Sequence, residues 1–295
     1  MLEIGLVGFG RWGRNYLAAV AASGRAKITS VLLPRNSNSA DEARRSGLHV
    51  ATELDSFRVD AVVIATHPSL APEFCSHFLT REIPVMVEKP AALTLEGANI
   101  ICAAAHRSNS LVLVSHQHLF ANSYEYIRQK VHGQAVNHIL SRAGGPGPHR
   151  DYSALWDYGP HDLAMIFGIT NMDPISIKAI RHTSPKGDYF SINFKFIPDT
   201  QVNCEIWNDG LPKMRYFKVV SGDDEFIYDD LDLEGRLRRN GKILKHSYEP
   251  PLTRAVSSFV EAVIEGGTDD YRYGAEWAVR MANWLNRIEN FSSKN

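Results

Sequence analysis

The stretch Leu2-Glu3-Ile4-Gly5-Leu6-Val7-Gly8-Phe9-Gly10-Arg11-Trp12-Gly13 decides the fold of this chain. An apolar strand leads into a glycine turn, and the amphipathic run Tyr16–Val20 predicts a helix after it. In this order Gly8 makes the tight turn, Gly10 lets the backbone approach a pyrophosphate, and Gly13 allows close packing of helix on strand. Free N–H groups at the helix start then face the phosphates. The pattern favours a dinucleotide-binding turn over a glycine loop used only for packing.

The first half of the chain alternates short apolar strands with helices, which predicts a parallel sheet covered by helices on both faces. Ser39 followed by Glu42 predicts a capping box at one helix start. The predicted strands are Lys27–Leu33, Ala61–Ala65, Val85–Val87 and Leu111–Val114, and the helices are Ser39–Arg45, Pro72–Leu79 and a run that Thr94 caps.

In the second half several strands follow one another without helices between them, so the architecture changes. Apolar and polar residues alternate with period two, which indicates strands with one face packed and the other open. The predicted fold class is therefore α/β, with a Rossmann dinucleotide-binding domain over residues 1–120 and a second α/β domain with an open-faced, mainly antiparallel sheet over 121–295. Its predicted strands are Phe190–Phe196, Val202–Ile206, Met214–Ser221, Glu225–Asp229 and Lys242–Lys245, and its helices are Tyr124–Val131, Thr253–Glu265 and Ala275–Asn290.

The composition excludes several classes of partner. The chain has 295 residues and a formal net charge of −1, which provides no field that would steer nucleic acid or an anionic membrane. No apolar run approaches the roughly 20 residues that a bilayer requires, and the sequence runs into its first strand without a charged leader. Three widely spaced cysteines suggest neither a disulfide framework nor a zinc knuckle. We expect a soluble, cytoplasmic protein with a small-molecule ligand.

The residues after the second strand bear on the choice between NAD and NADP. An acid about 20 residues past the glycines would hold the ribose hydroxyls of NAD. This chain instead has Leu33-Pro34-Arg35-Asn36-Ser37 at that position. An arginine with small hydrogen-bonding neighbours suits a 2′-phosphate, which slightly favours NADP. The alternative is that Arg35 is a solvated loop residue.

Two further strand ends lie at the same predicted sheet edge. Thr66-His67-Pro68 follows the predicted strand Ala61–Ala65, and His67 suits a helix cap or the lining of a cofactor groove better than chemistry. Glu88-Lys89-Pro90 ends a buried strand with an acid, a base and a residue that stops the strand. His116-x-His118 has no acid or cysteine at ligand spacing, so we predict no metal site there or elsewhere.

A glycine- and proline-rich loop, Gly144–Tyr152, precedes a second cluster of polar residues. Pro160 suits the first turn of the helix that follows. If that turn extends backwards, Asp157 and His161 share a face and the acid can orient the imidazole. A capping aspartate and a structural histidine explain the same pattern equally well.

With these motifs in hand, the sequence resembles the glucose–fructose oxidoreductase/inositol dehydrogenase (Gfo/Idh/MocA) family. The resemblance rests on Gly8–Gly13, Ala65–Pro68, Glu88–Pro90 and Asp157-x-x-x-His161 in this order, and it spans nearly the whole chain. Within the family it looks most like members associated with surface polysaccharides and sugar nucleotides. The chain departs from the family at Pro34, where many members have an acid, and it is shorter than many members.

The resemblance implies an NAD(P)-dependent dehydrogenase or reductase that moves a hydride between nicotinamide C4 and a hydroxyl or keto carbon of a sugar, sugar nucleotide or polyol. Lys89, Asp157 and His161 match the family's catalytic positions; we take His161 as proton carrier and Lys89 as the group that polarises the oxygen, although members differ over which carries the proton. A homodimer or homotetramer formed through the second domain's sheet is also implied. The alternatives are a non-catalytic NAD(P)-binding sensor and, if metal were present, a zinc-dependent hydrolase. The candidate cofactor-binding residues are Gly8, Phe9, Gly10, Arg11, Trp12, Gly13, Arg35, Asn36, Thr66, His67, Glu88 and Lys89, and the candidate substrate-binding residues are His149, Arg150 and Trp156.

Overall fold

The computed structural model describes residues 1–147, 150–267 and 274–292. The chain divides into two compact units. The first contains residues 1–117 together with 250–282, and the second contains 118–249 together with the residues from Asn283 on. The predicted boundary at 120/121 stays a prediction, and the structure adds that residues 250–282 group with the N-terminal part of the chain.

The strands, in chain order, are β1 (Leu2–Val7), β2 (Ala26–Leu32), β3 (His49–Ala51), β4 (Ala61–Ile64), β5 (Val85–Glu88), β6 (Val112–Ser115), β7 (His138–Gly144), β8 (Ser176–Ser184), β9 (Gly187–Phe196), β10 (Thr200–Trp207), β11 (Met214–Ser221), β12 (Asp224–Asp229), β13 (Leu237–Arg239) and β14 (Lys242–Ile243). The helices are α1 (Asn15–Ala22), α2 (Ala40–Arg45), α3 (Ala71–Leu79), α4 (Leu95–Ser108), α5 (Asn122–Val131), α6 (Ala154–Thr170), α7 (Pro251–Glu265) and α8 (Ala275–Ser292).

The first unit is built on a six-stranded parallel sheet with the strand order β3-β2-β1-β4-β5-β6. Its central strands are apolar on both faces because helices cover both sides, and β4, β5 and β6 are buried along their whole length. The order reverses between β1 and β4, which is the position where open sheets of this kind bind ligands. The Rossmann architecture predicted from the strand–turn–helix pattern is confirmed.

The second unit is built on an eight-stranded sheet with the order β14-β13-β12-β11-β7-β10-β9-β8. β10 pairs with β7 in parallel, and the other neighbours are antiparallel. The residues of β7, β9, β10 and β11 alternate between buried and more exposed positions, and α6 packs against β7, β9 and β10 on the buried side. The α/β fold class with a mainly antiparallel second sheet is therefore confirmed.

Several local predictions were wrong for identifiable physical reasons. Pro160 lies inside α6, more than one turn after the helix begins, because the helix starts at Ala154. Ser39 makes no side-chain cap at α2, and Glu42 binds Arg14 instead, at 2.5 and 2.6 Å. The strands β3, β7, β8 and β13 were not predicted. Within the described ranges, no helix is long and apolar enough to cross a bilayer.

Candidate active site

The loop between β1 and α1 fits a dinucleotide pyrophosphate. Gly8 has a φ of +92°, and a Cβ on it would lie 2.8 Å from the carbonyl oxygen of Ala65. A Cβ on Gly13 would lie 2.5 Å from the carbonyl oxygen of Gly8, so both positions require glycine. A Cβ on Gly10 would meet no atom within 4 Å. The loop is therefore tight where it packs on the sheet and open at the position where a phosphate would approach the backbone.

Three neighbouring strands end at this loop's edge of the sheet. β1, β4 and β5 are adjacent and parallel, so the residues that follow them, Gly8, Thr66 and Lys89, lie along one edge. The backbone N–H of Ala65 bonds to the carbonyl of Val7 at 2.9 Å, which holds the β4 end beside the glycine turn. The sheet thus gathers residues that are far apart in sequence.

A buried hydrogen bond joins the first helix to the end of β5. The hydroxyl of Tyr16, on α1, donates to Oε1 of Glu88, and both residues are buried. Burial raises the pKa of Glu88, and burial together with the Glu88 charge raises that of Tyr16. Sequence reasoning placed Glu88 beside the cofactor but missed Tyr16. Lys89 follows directly and is half-buried, and its peptide bond to Pro90 is cis.

His67 is held at the start of α3. Its Nδ1 lies 2.7 Å from Oγ of Ser69 and accepts the Ser69 backbone N–H at 3.3 Å, while its carbonyl accepts the N–H of Leu70 at 3.0 Å. These bonds shape the turn that leads from the sheet edge into the helix. The N-cap of α3 is Leu70, and no side chain caps this helix, so His67 shapes the preceding turn and does not cap α3.

Arg35 and Asn36 are exposed in the loop after β2. The Arg35 guanidinium pairs with Glu53 at 2.5 Å, and the two side chains are 77% and 61% exposed. An exposed pair of this kind is weak, so the guanidinium can be drawn to a stronger anion. Glu53 would compete with a bound anion for the Arg35 guanidinium, and the sequence pattern did not identify it.

In the second unit, α6 carries Asp157 and His161 one turn apart, so they share a face of the helix. His161 is 4% exposed, and its ring meets the edge of His118 at a centroid distance of 4.8 Å. Nδ1 of His118 lies 2.9 Å from the Tyr228 hydroxyl, which donates to Asp230 at 3.1 Å. Since the tyrosine has a single proton, His118 donates to it through Nδ1. His161 thus packs on a histidine whose own orientation is fixed.

The predicted substrate-binding residues differ in their surroundings. Arg150 is exposed, and its Nε lies 3.9 Å from Oδ2 of Asp157, so it can present a positive charge beside that acid. Trp156 is 4% exposed and its indole N–H donates to Glu289 of α8 at 3.0 Å. That bond gives the tryptophan a role in holding α6 to α8, and we leave it out of the proposed substrate site. His149 lies outside the described residues.

The residue after His161 forms a buried ionic contact that sequence reasoning missed. Asp162 is fully buried, accepts from Oγ of Ser141 at 2.6 Å and pairs with Arg215 at 2.7 Å. Burial raises the pKa of Asp162. The available signal was the alternation of β11, which puts Arg215 on the same buried face as Phe217. This contact fixes α6 against the sheet at the turn that carries His161.

Comparisons with known proteins show which proteins this chain is similar to. The family model GFO_IDH_MocA, described as "Oxidoreductase family, NAD-binding Rossmann fold", matches residues 2–116. Inositol 2-dehydrogenase 2 of Paenarthrobacter aurescens is 28% identical over 56% of this chain and 54% of its own length. The 2,7-anhydro-N-acetylneuraminate hydratase of Escherichia coli is 29% identical over 48% of this chain and 38% of its own. The chain thus spans about half the length of the curated relatives it matches.

Solved structures share the fold over nearly the whole chain. UDP-N-acetylglucosamine 3-dehydrogenase GnnA from Acidithiobacillus ferrooxidans superposes with a TM-score of 0.87 at 18% identity, covering 98% of this chain and 97% of that one. Aldose-aldose oxidoreductase from Caulobacter crescentus gives a TM-score of 0.87 at 14% identity, covering 99% and 98%. At these identities the similarity concerns the fold, which extends through both units.

Proposed function

We propose that the chain is a member of the Gfo/Idh/MocA oxidoreductase family, whose model matches residues 2–116, and that it is an NAD(P)-dependent dehydrogenase or reductase acting on CH–OH groups. The observation that carries the proposal is the sheet edge where the open Gly10 turn lies beside the ends of β4 and β5. That edge supplies amides for a pyrophosphate and an amine, on Lys89, for a substrate oxygen.

The cofactor, when bound, supplies the hydride acceptor or donor. The chain's part is to hold and orient it: the amides of the Gly8–Gly13 turn would bind the pyrophosphate, and the Tyr16–Glu88 hydrogen bond joins α1 to the end of β5. Thr66 and His67 border the same edge. The residues proposed to bind the cofactor remain Gly8, Phe9, Gly10, Arg11, Trp12, Gly13, Arg35, Asn36, Thr66, His67, Glu88 and Lys89.

His161 is proposed as the proton carrier and Lys89 as the group that polarises the reacting oxygen. Imidazole exchanges protons near neutral pH, and general acid–base catalysis contributes roughly 10²–10⁴-fold. A lysine ammonium stabilises the charge that develops on the oxygen. Asp157, one turn before His161 on the same helix face, steadies the positive imidazolium form.

We propose a sugar, sugar nucleotide or polyol as substrate. Support comes from relatives whose names specify inositol and anhydro-N-acetylneuraminate, and from the fold shared with an enzyme of UDP-N-acetylglucosamine. Arg150, exposed beside Asp157, suits a phosphate or carboxylate on such a substrate. We further propose that the chain self-associates through the exposed face of the second unit's sheet.

The test is hydride transfer with a panel of sugars, nucleotide sugars and polyols, followed by NAD(P)H absorbance. K89A and H161A should each lower the rate by roughly 10²–10⁴-fold, and H161A should retain NAD(P)H binding. Because His161 is buried, H161N serves as a second variant of similar size. The exposed variants K242A and H182A are controls that should match the wild type. Wild-type rates in both K89A and H161A would refute the assignment.

The same panel separates the enzyme from the non-catalytic sensor. A sensor would bind NAD(P)H and leave it unchanged with every carbohydrate offered, whereas the enzyme oxidises or reduces it with at least one class. The sensor needs the cofactor-binding residues and has no requirement for His161, so H161A would leave every property of a sensor unchanged.

We propose that NADP is preferred over NAD, on the basis of Arg35 and the missing acid after β2. Glu53, which pairs with Arg35, should oppose the 2′-phosphate. E53Q should therefore raise the affinity for NADPH and leave that for NADH unchanged, and R35A should lower NADPH affinity alone. Titrations of both reduced cofactors by fluorescence measure this, and equal effects on the two would contradict the NADP preference.

A further inference from the structure

Three side chains with metal-ligating atoms meet in the first unit outside the proposed active site. Cys102 and His106 lie on α4, and Glu276 lies in the first turn of α8. Their ligand atoms, Sγ, a ring nitrogen and a carboxylate oxygen, are all within 4.8 Å of one another. His106 Nε2 is already hydrogen-bonded to Oε1 of Glu276.

The local structure explains why these groups converge. Cys102 and His106 are four residues apart, so they project from one face of α4, one turn apart. Glu276, 170 residues beyond His106 in the chain, is presented to that face by the start of α8. Both ligands on α4 thus come from one rigid helix, and a single carboxylate completes the set from another.

The alternative reading is an ordinary surface ion pair. His106 and Glu276 are 63% and 64% exposed, and a pair at that exposure contributes little to stability. An ion pair between His106 and Glu276 also does not explain why the Cys102 thiol lies beside them. The combination of thiolate, imidazole and carboxylate is the donor set that Zn²⁺ takes in proteins, with Zn–S near 2.3 Å and Zn–N and Zn–O near 2.0–2.2 Å.

We propose that Cys102, His106 and Glu276 bind one divalent ion of the Zn²⁺ class, with water in the fourth position. Atoms within 4.8 Å of one another need only small side-chain rotations to reach the edge lengths of a tetrahedral site. On binding, the thiol and any imidazolium release their protons to solvent, and the ion takes the place of the His106–Glu276 hydrogen bond. The site would tie α4 to the start of α8.

The experiment uses Co²⁺ as a spectroscopic probe on the full-length protein after treatment with a chelator. Wild-type protein should bind one equivalent and show the thiolate-to-cobalt charge-transfer band in the near ultraviolet. C102S should lose that band, and H106A and E276Q should weaken Co²⁺ and Zn²⁺ affinity by about tenfold or more. Zn²⁺ should also raise the melting temperature of the wild type and not that of C102S.

H182A, which removes an exposed histidine from β8, is the matched control and should bind metal as the wild type does. All these side chains are at least partly exposed, so circular dichroism should show every variant folded. Binding that lacks the charge-transfer band, or that persists unchanged in C102S and H106A, would identify adventitious metal and overturn the proposal. The readouts are independent of catalysis, so the outcome is separate from that of the proposed function.

Discussion

At the scale of single residues, two glycines of the turn have different roles: Gly13 allows close packing, and Gly10 leaves space for a ligand. G13A places a Cβ 2.5 Å from a backbone carbonyl, which cannot yield, whereas G10A adds a methyl group to open space. We expect G10A to keep the stability of the wild type within about 0.5 kcal/mol. Its NAD(P)H affinity should fall, because the added methyl group occupies the approach of the pyrophosphate.

G13A is the matched comparison and should lose about 1–3 kcal/mol through forced backbone movement. Urea unfolding and a cofactor titration on both variants measure the two effects. Undiminished cofactor affinity in G10A would remove the main support for a pyrophosphate at this turn.

Glu88 gives a pH-dependent prediction. Burial raises its pKa in the folded protein above the value of about 4.3 for an unfolded chain, so the folded state binds the proton more tightly. Its contribution to stability is therefore fully present below that unfolded value and is lost as pH rises through the folded pKa. E88Q, which keeps an acceptor for Tyr16, should gain stability relative to the wild type between pH 4 and pH 8.

The measurement is the free energy of unfolding of both proteins by urea across that pH range. A difference that does not change with pH would show that Glu88 titrates alike in the two states. E96Q, at an exposed glutamate in the first turn of α4, is the control for the same change of side chain at the surface.

At this scale, prediction from the sequence succeeded or failed according to how far apart the interacting residues lie in the chain. The roles of Gly8, Gly10 and Gly13 follow from a local motif, and each agrees with the space around its α-carbon. The Tyr16–Glu88 and His106–Glu276 contacts join residues 72 and 170 positions apart, and no local pattern encodes such pairs. The same limit explains why spacing in the sequence did not suggest the metal site that we propose at Cys102, His106 and Glu276.

At the scale of elements, α6 depends on a buried ion pair. D162N would leave the charge of Arg215 buried without a counter-charge, which typically costs about 3–5 kcal/mol. D162N/R215M removes both charges and should recover part of that loss. Asp41, whose pair with Arg44 is exposed, supplies the control D41N, which should cost under about 1 kcal/mol.

Urea unfolding measures all three variants. A loss in D162N no larger than that in D41N would mean that the buried pair does not hold α6 to the sheet. The start of α6 also explains why Pro160 was misplaced: the proline pattern suggests a first turn, but Ser153 and Trp156 bond to Glu289 and extend the helix backwards.

At the scale of the whole molecule, the pattern of apolar and polar residues predicted both sheets, because all strands of one sheet share the same pattern of burial. Continuous apolar runs marked the parallel sheet and alternation marked the other. β7 was not predicted, although it is a central strand, because the polar residues Ser141 and Arg142 interrupt its apolar pattern. Ser141 donates a hydrogen bond to Asp162, and Arg142 forms an ion pair with Glu205. The grouping of residues 250–282 with the first unit depends on tertiary contacts, because α7 packs on α1 and β6. Sequence patterns do not encode such contacts.

The exposed face of the eight-stranded sheet gives the last prediction. Leu140 lies on β7, between β10 and β11, on the face opposite the buried Ile139 and Ser141. If this face joins two copies, a lysine at its centre would be buried without a counter-charge. L140K should therefore shift the protein to monomers in light scattering coupled to size exclusion. L233K, at a leucine that is 74% exposed outside the sheet, should assemble as the wild type does. A monomeric wild type, or an unchanged mass for L140K, would exclude this face as the interface.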